Sequence, residues 1–344
     1  MISFESTSLA VHHVRRWTLD AAIAELKAAV WALDRAALRN GGEVPADLAS
    51  ELQGRFCALC LLLNEHLGDS SPRSQEARDA LGAHIQRELL PYLLLTENGE
   101  RWYAKPRGYA GDFLSIEWIY RNRAGGSGRI GPVLDRCCLD LPAAAAVRNR
   151  RGLLREEIEK TIAARDRATA RVLSLACGPA RELFDVYETL GDPAILAATC
   201  VDIDLQALAF VADRRDARKL RRTMNLVNAN LVHVATGRAP LELPPQDLAY
   251  SIGLIDYFED PLVVRLLDAI HDRLRPGGRV IVGNFHPDNP SRAVLDHLFD
   301  WKLIHRTEDD MNRLFEASKF GRCDEIRFEA ERINLFAIGS RSVA

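Results

Sequence analysis

Arg171-Val-Leu-Ser-Leu-Ala-Cys-Gly-Pro-Ala-Arg-Glu182 is the stretch whose reading decides the fold. Residues 172–175 read as a buried strand, 176–180 a turn of small residues, and 181 opens a helical pattern. A strand that delivers a glycine turn onto a helix N-terminus makes a concave, donor-rich pocket for an anionic group.

Working outward, the chain after 171 alternates strand and helix patterns, the mark of a mostly parallel α/β sheet. Strands are expected at 172–175, 196–202, 225–228, 247–252 and 279–284, with 275–278 as a turn. Helices are expected at 205–221, 261–274, 291–301 and 308–318, the last capped by Thr307. Two final strands, 323–329 and 332–338, fit an antiparallel pair at one sheet edge.

The chain before 171 reads as helical. Thr18 caps a helix carrying Leu19, Ile23, Leu26, Val30 and Leu33, which Gly41-Gly42 ends. A second helix spans 45–67 with Pro45 at its first position, and a third spans 73–90, ended or bent by Pro91. Residues 101–113 hold glycines, a proline and large aromatics and read as too irregular for a helix; helix resumes from about Asp112 to Tyr120. After a Gly-Gly-Ser-Gly turn at 125–128, a helix covers 142–165. The expected division is a helical part, 1–165, that lids and shapes a substrate site, and a sheet part, 166–344.

Composition narrows the classes. Across 344 residues the net charge is −3, which offers no basic field for nucleic acid. No apolar run reaches the roughly 18–20 residues of a membrane span, so no membrane insertion is expected. The 7 cysteines sit mostly in apolar runs and no secretory segment opens the chain, which reads as a reduced, cytoplasmic protein. Cys57 and Cys60 lack a second pair and read as core, as does Cys137-Cys138; His12-His13 carries no signal, and no metal is expected.

The turn at 176–180 departs from the dinucleotide pattern G-x-G-x-x-G, whose positions fall on Ala176, Gly178 and Arg181. Arginine at the third position opposes close helix–strand packing, and Pro179 removes an amide that a pyrophosphate would use. A ligand bringing one carboxylate and one ammonium needs fewer donors, which favours S-adenosylmethionine over NAD. Asp202, in Val201-Asp-Ile-Asp204, ends a strand where an acid accepts both ribose hydroxyls, and Asp204 caps the next helix. Asn230 is placed to reach an adenine edge, or is an ordinary turn asparagine.

Residues 171–284 resemble a class I S-adenosylmethionine-dependent methyltransferase, a Rossmann-like fold. The matching pieces are residues 172–180, Val201-Asp-Ile-Asp204, Asp247-Leu-Ala-Tyr-Ser251 and Leu274-Arg-Pro-Gly-Gly-Arg-Val-Ile281. The resemblance implies that Ala176, Cys177 and Gly178 contact the methionine moiety and that Asp202 holds the ribose. Ser174 stands where the family often has an acid, and alanines replace two usual glycines. Lys105-Pro-Arg-Gly-Tyr-Ala-Gly-Asp112, Ala146-Val-Arg-Asn-Arg-Arg151, Gly283-Asn-Phe-His-Pro287 and Asp300-Trp301 resemble a bacterial subfamily, the extracellular-factor 3-hydroxypalmitic acid methyl ester biosynthesis proteins. That implies methyl transfer to a hydroxy fatty acid carboxylate or related small acid.

A carboxylate is already ionised at pH 7, so it asks for an orienting group rather than a strong base. His286, just past a strand end, is the candidate base or orienting donor. Tyr109, a second catalytic candidate, and Asp112 are placed to close over the cofactor; Tyr257 and Arg107 are candidates for the acceptor. Arg148, Arg150, Arg151 and Arg155 form a basic run that either engages an acidic substrate or carrier or, with Glu156, Glu157 and Glu159 close behind, is a salt-bridged solvated helix face, the reading favoured. Another N- or O-methyl acceptor, a catalytically silent cofactor-binding module and a homodimer through the helical part all stay open.

Overall fold

The structure is a computed structural model that describes residues 19–166 and 168–343; Thr18 and His12-His13 lie outside them. Its helices are α1 (Leu19–Arg39), α2 (Ala46–Leu67), α3 (Gln75–Leu93), α4 (Glu97–Ala104), α5 (Phe113–Arg121), α6 (Gly131–Leu139), α7 (Pro142–Ala163), α8 (Arg181–Thr189), α9 (Leu205–Ala217), α10 (Leu231–Ala235), α11 (Asp260–His271), α12 (Arg292–His297) and α13 (Glu308–Glu316). Its strands are β1 (Ala170–Leu175), β2 (Leu196–Asp202), β3 (Met224–Asn228), β4 (Gln246–Ile252), β5 (Leu274–Phe285), β6 (Glu325–Phe328) and β7 (Asn334–Ser340).

The strands form one sheet in the order β3-β2-β1-β4-β5-β7-β6. β1 to β5 are parallel, and β7 runs antiparallel between β5 and β6. This is the Rossmann-like, mostly parallel sheet with the antiparallel edge expected. Side-chain alternation along buried strands supplies two cores. Val172, Ala198, Leu248 and Ile281 pack on one face with Leu153 and Ile158 of α7 and Leu183 of α8. Leu173, Val201, Ala249 and Val280 pack on the other with α11 and α13. Strand order reverses between β1 and β4, and in open α/β sheets the crevice beyond such carboxyl ends takes the ligand.

The chain packs as two compact units whose borders differ from a single cut at 165/166. The smaller holds the described residues up to Glu100 with Ala124–Cys138 and Pro290–Asp300; the larger holds Arg101–Arg123, Leu139–Asn289 and the rest from Trp301. α5 and α7 therefore go with the sheet, because α7 buries Leu153, Leu154 and Ile158 in the sheet's own core.

Other expectations shift locally. α3 continues two residues past Pro91, which near a C-terminus removes a single helical bond. Residues 101–104 are helical, so the irregular path is confined to 105–112; Lys105 (φ 47°) and Gly108 (φ 90°) bend it. The turn at 275–278 is a bulge within β5: Gln246 pairs with Leu274, and Leu248 with Arg279. Thr307 does cap α13, in a capping box with Asp310. Among the described residues no helix is long and apolar enough to cross a membrane, and no His, Cys, Asp or Glu side chains group as a metal would require.

Candidate active site

A cavity of about 420 Å³ lies beyond the carboxyl ends of β1 and β4, and all its lining residues belong to the larger unit. Its first wall is the turn after β1. Ala176 (φ 52°), Gly178 (φ 51°) and Ala180 (φ 48°) all adopt the left-handed region. That folds the turn back on β2, where the Cys177 amide donates to the Val201 carbonyl at 3.0 Å. The Gly178 amide donates to the Asp202 carboxylate at 2.9 Å, and the Asp204 amide donates to the same carboxylate at 2.9 Å. Asp202 is buried, and burial raises its pKa although both amides favour the charged form. Ala176, Cys177, Gly178 and Asp202 all line the cavity. Arg181 does not crowd this turn; its guanidinium turns to the buried Glu117 of α5 at 2.7 Å.

The next wall is formed by Ile203, exposed at 60%, and by Asn230 and Leu231. Asn230 caps α10, accepting from the amides of Val232 at 2.9 Å and His233 at 3.3 Å. Its oxygen is therefore spent, and the side-chain amide is what it has left to offer a ligand.

Segment 105–112 crosses this side as a strap. Arg107 ion-pairs with Asp204 and donates to Gln206, and its guanidinium lies over the Phe113 ring. Asp112 is fully buried, accepts from the Leu114 and Ser115 amides at the start of α5, and takes the Arg101 guanidinium at 2.7 Å. Arg107, expected at the acceptor, and Asp112, expected at the cofactor, do not line the cavity; both charges are engaged in tying the strap down. Tyr109 and Gly111 do line it. A Cβ on Gly111 would stand 2.8 Å from the Tyr257 hydroxyl and 3.0 Å from the Trp301 ring, so a larger residue there would push on both side chains.

The far end is aromatic. Tyr109 meets Tyr257 edge-on with ring centroids 6.3 Å apart, and the Trp301 indole N–H donates to the Tyr257 hydroxyl at 2.9 Å. The Tyr257 proton is left free to point toward a ligand. Phe285 and Leu303 complete the wall. His286, one residue on, does not line the cavity; its ring sits 3.0 Å from a Glu308 carboxylate oxygen and packs edge-on against Phe328. His286, expected as base or orienting donor, is turned from the cavity by side-chain parity at the strand end: Phe285 points in, so its neighbour points away.

Three buried charges line the cavity; sequence reasoning assigned no role to Glu182 or Asp256 and met Arg150 only as one member of a basic run. Arg150 on α7 is 6% exposed. Its neighbours match the salt-bridged reading, Arg151 with Asp185 and Arg155 with Glu159. Arg150 instead shares the stripe of Ala143, Val147 and Leu154, a helical spacing that was readable. Glu182 on α8 accepts from the Tyr250 hydroxyl at 2.7 Å, and burial raises its pKa. Asp256, 1% exposed in the 3₁₀ turn Ile255–Tyr257, accepts from the Phe285 amide at 2.7 Å; burial pushes its pKa up to about 6.

A family model described as "Putative methyltransferase" matches residues 105–344, and the chain belongs to that family. A solved structure of "a possible exported protein" from Bordetella parapertussis is 20% identical, covers 86% of this chain and 97% of its own, and superposes with a TM-score of 0.60, a likeness of fold. Weaker likenesses include the pyocyanin biosynthetic protein PhzM, 14% identical, with 89% and 99% covered and a TM-score of 0.47. Magnesium protoporphyrin IX methyltransferase (ChlM) from Synechocystis PCC 6803, crystallised with S-adenosylhomocysteine, is 10% identical, with 71% and 98% covered and a TM-score of 0.48. No curated protein matches the chain.

Proposed function

We propose that this enzyme transfers the methyl group of S-adenosylmethionine to a small-molecule acid, a 3-hydroxy fatty acid in the narrowest reading, to give a methyl ester. S-adenosylmethionine is the cofactor. The observation that carries the reading is a single cavity in which the left-handed turn of Ala176 to Gly178 and the buried Asp202 face an aromatic end. Asp202 suits two ribose hydroxyls, the turn a methionine chain, and Ile203 with Asn230 an adenine ring. The pocket size is ordinary for such a ligand.

The cofactor supplies an electrophilic methyl group; the chain's own residues bind, orient and exclude water. Tyr109, Tyr257 and Trp301 hold an apolar acceptor so that its nucleophilic oxygen lies in line, the largest contribution such a site makes. A carboxylate has no proton to shed, which agrees with a cavity that His286 does not enter. The acyl chain would lie against Phe285, Leu303 and Leu254.

The test is incubation with a metabolite extract and methyl-labelled cofactor, read by mass spectrometry. A labelled methyl ester is expected. A labelled amine would overturn the acid acceptor, and cofactor binding without any labelled product would favour a catalytically silent module.

A further inference from the structure

Arg150 is an expensive residue to bury. The residue is only 6% exposed, and a buried guanidinium is normally paired with a carboxylate. Among the described residues its one hydrogen bond is a long one, Nε to the Tyr120 hydroxyl at 3.4 Å. The two nearby acids are engaged elsewhere: Glu182 takes the Tyr250 hydroxyl and Asp256 the Phe285 amide. Neither forms an ion pair with Arg150, although its charge favours their ionised forms. The guanidinium also sits where the chain makes room for it. A Cβ on Gly253, the residue after β4, would stand 3.2 Å from its Nη1. Arg150 thus lines the cavity with its terminal nitrogens unspent.

We propose that Arg150 receives a ligand carboxylate inside the cavity. The planar fork matches a carboxylate bidentately, and the pairing supplies the countercharge that the chain itself leaves out. The carboxylate comes from the acceptor acid or from the amino-acid end of the cofactor. The inference rests on the methyl-transfer reading, and its test separates the two.

Isothermal titration of the full chain, wild type, Arg150→Lys and Arg150→Met, would use four probes. S-adenosylhomocysteine carries the amino-acid carboxylate, and 5′-methylthioadenosine keeps the nucleoside and thioether without it. Decanoate carries a fatty carboxylate and decanol does not. Arg150→Met is expected to weaken one carboxylate ligand about 10- to 100-fold, the scale of a charge-assisted pair. Arg150→Lys retains part of that affinity, and 5′-methylthioadenosine and decanol are unchanged. Loss on S-adenosylhomocysteine assigns Arg150 to the cofactor; loss on decanoate assigns it to the acceptor. Unchanged affinity for both carboxylates, or an equal loss on 5′-methylthioadenosine, would overturn the inference. A wild type that binds neither nucleoside would instead sink the methyl-transfer reading.

Discussion

Asp202 shows how one carboxylate serves both structure and ligand. Its two backbone contacts, from Gly178 and Asp204, set the turn and leave oxygen lone pairs facing the cavity. Hydrogen bonds to a charged group are worth about 1.5–3 kcal/mol each. Asp202→Ala is therefore expected to weaken S-adenosylhomocysteine at least about 100-fold by titration calorimetry; a loss under tenfold would remove Asp202 from the ribose site. Asp256 makes a different case, because among the described residues no side-chain cation lies in ion-pair range and burial dominates its titration. Arg150 and Arg306 only partly restore the ionised form. The unfolded carboxyl titrates near 3.9 and the folded one at about 6. Between those values the folded chain holds a proton that the unfolded chain has released, so this group's contribution falls as pH rises through 6. The loss totals about 3 kcal/mol. Asp256→Asn keeps an acceptor for the Phe285 amide and never ionises. In urea unfolding it should match the wild type near pH 4 and exceed it by up to about 3 kcal/mol at pH 8. A variant weaker than the wild type at pH 8 would mean that Asp256 is paired as an anion.

At the scale of elements, the turn after β1 carries conformational strain that alanine makes measurable. Alanine in the left-handed region costs about 1–2 kcal/mol. Glycine there recovers that cost but adds about 0.4–1 kcal/mol of unfolded-state entropy. Ala176 is only half-buried, so Ala176→Gly is expected to stabilise the protein by about 0.5–1 kcal/mol in chemical denaturation. Ala180 is fully buried, and losing its methyl offsets the relief, so Ala180→Gly should gain nothing. If both variants gain equally, packing is not what separates the sites. Much at this scale was legible: the β1 turn, β2 from Leu196 to Asp202, the Asp204 and Thr307 caps and the antiparallel edge all follow from local chemistry. What escaped has physical causes. α6 and α10 are too short for periodicity to declare them, and α10 is helical because Asn230 caps it. Arg150 could not be told apart within its charge run because counting charges ignores helical phase, and which way His286 faces turns on the parity of a single residue.

At the scale of the molecule, the chain passes between its two units five times, at 100/101, 123/124, 138/139, 289/290 and 300/301. A cut at 165/166 would therefore strip α5 and α7 from the sheet unit and expose the core that Leu153, Leu154 and Ile158 share with β1. Every cavity-lining residue belongs to the sheet unit. A ligand that binds only the folded form stabilises by RT ln(1 + [L]/Kd), about 2.7 kcal/mol at a hundredfold excess over Kd. That free energy enters through the amides that the ligand orders. In hydrogen exchange, S-adenosylhomocysteine should slow residues 174–182, 201–206 and 229–234, the segments of the turn, the acid and the adenine wall. α1 and α2, which lie in the other unit, should change little. Protection as strong in α1 and α2 as in the β1 turn would show that the ligand acts on both units together, and none in 174–182 would place the cofactor elsewhere.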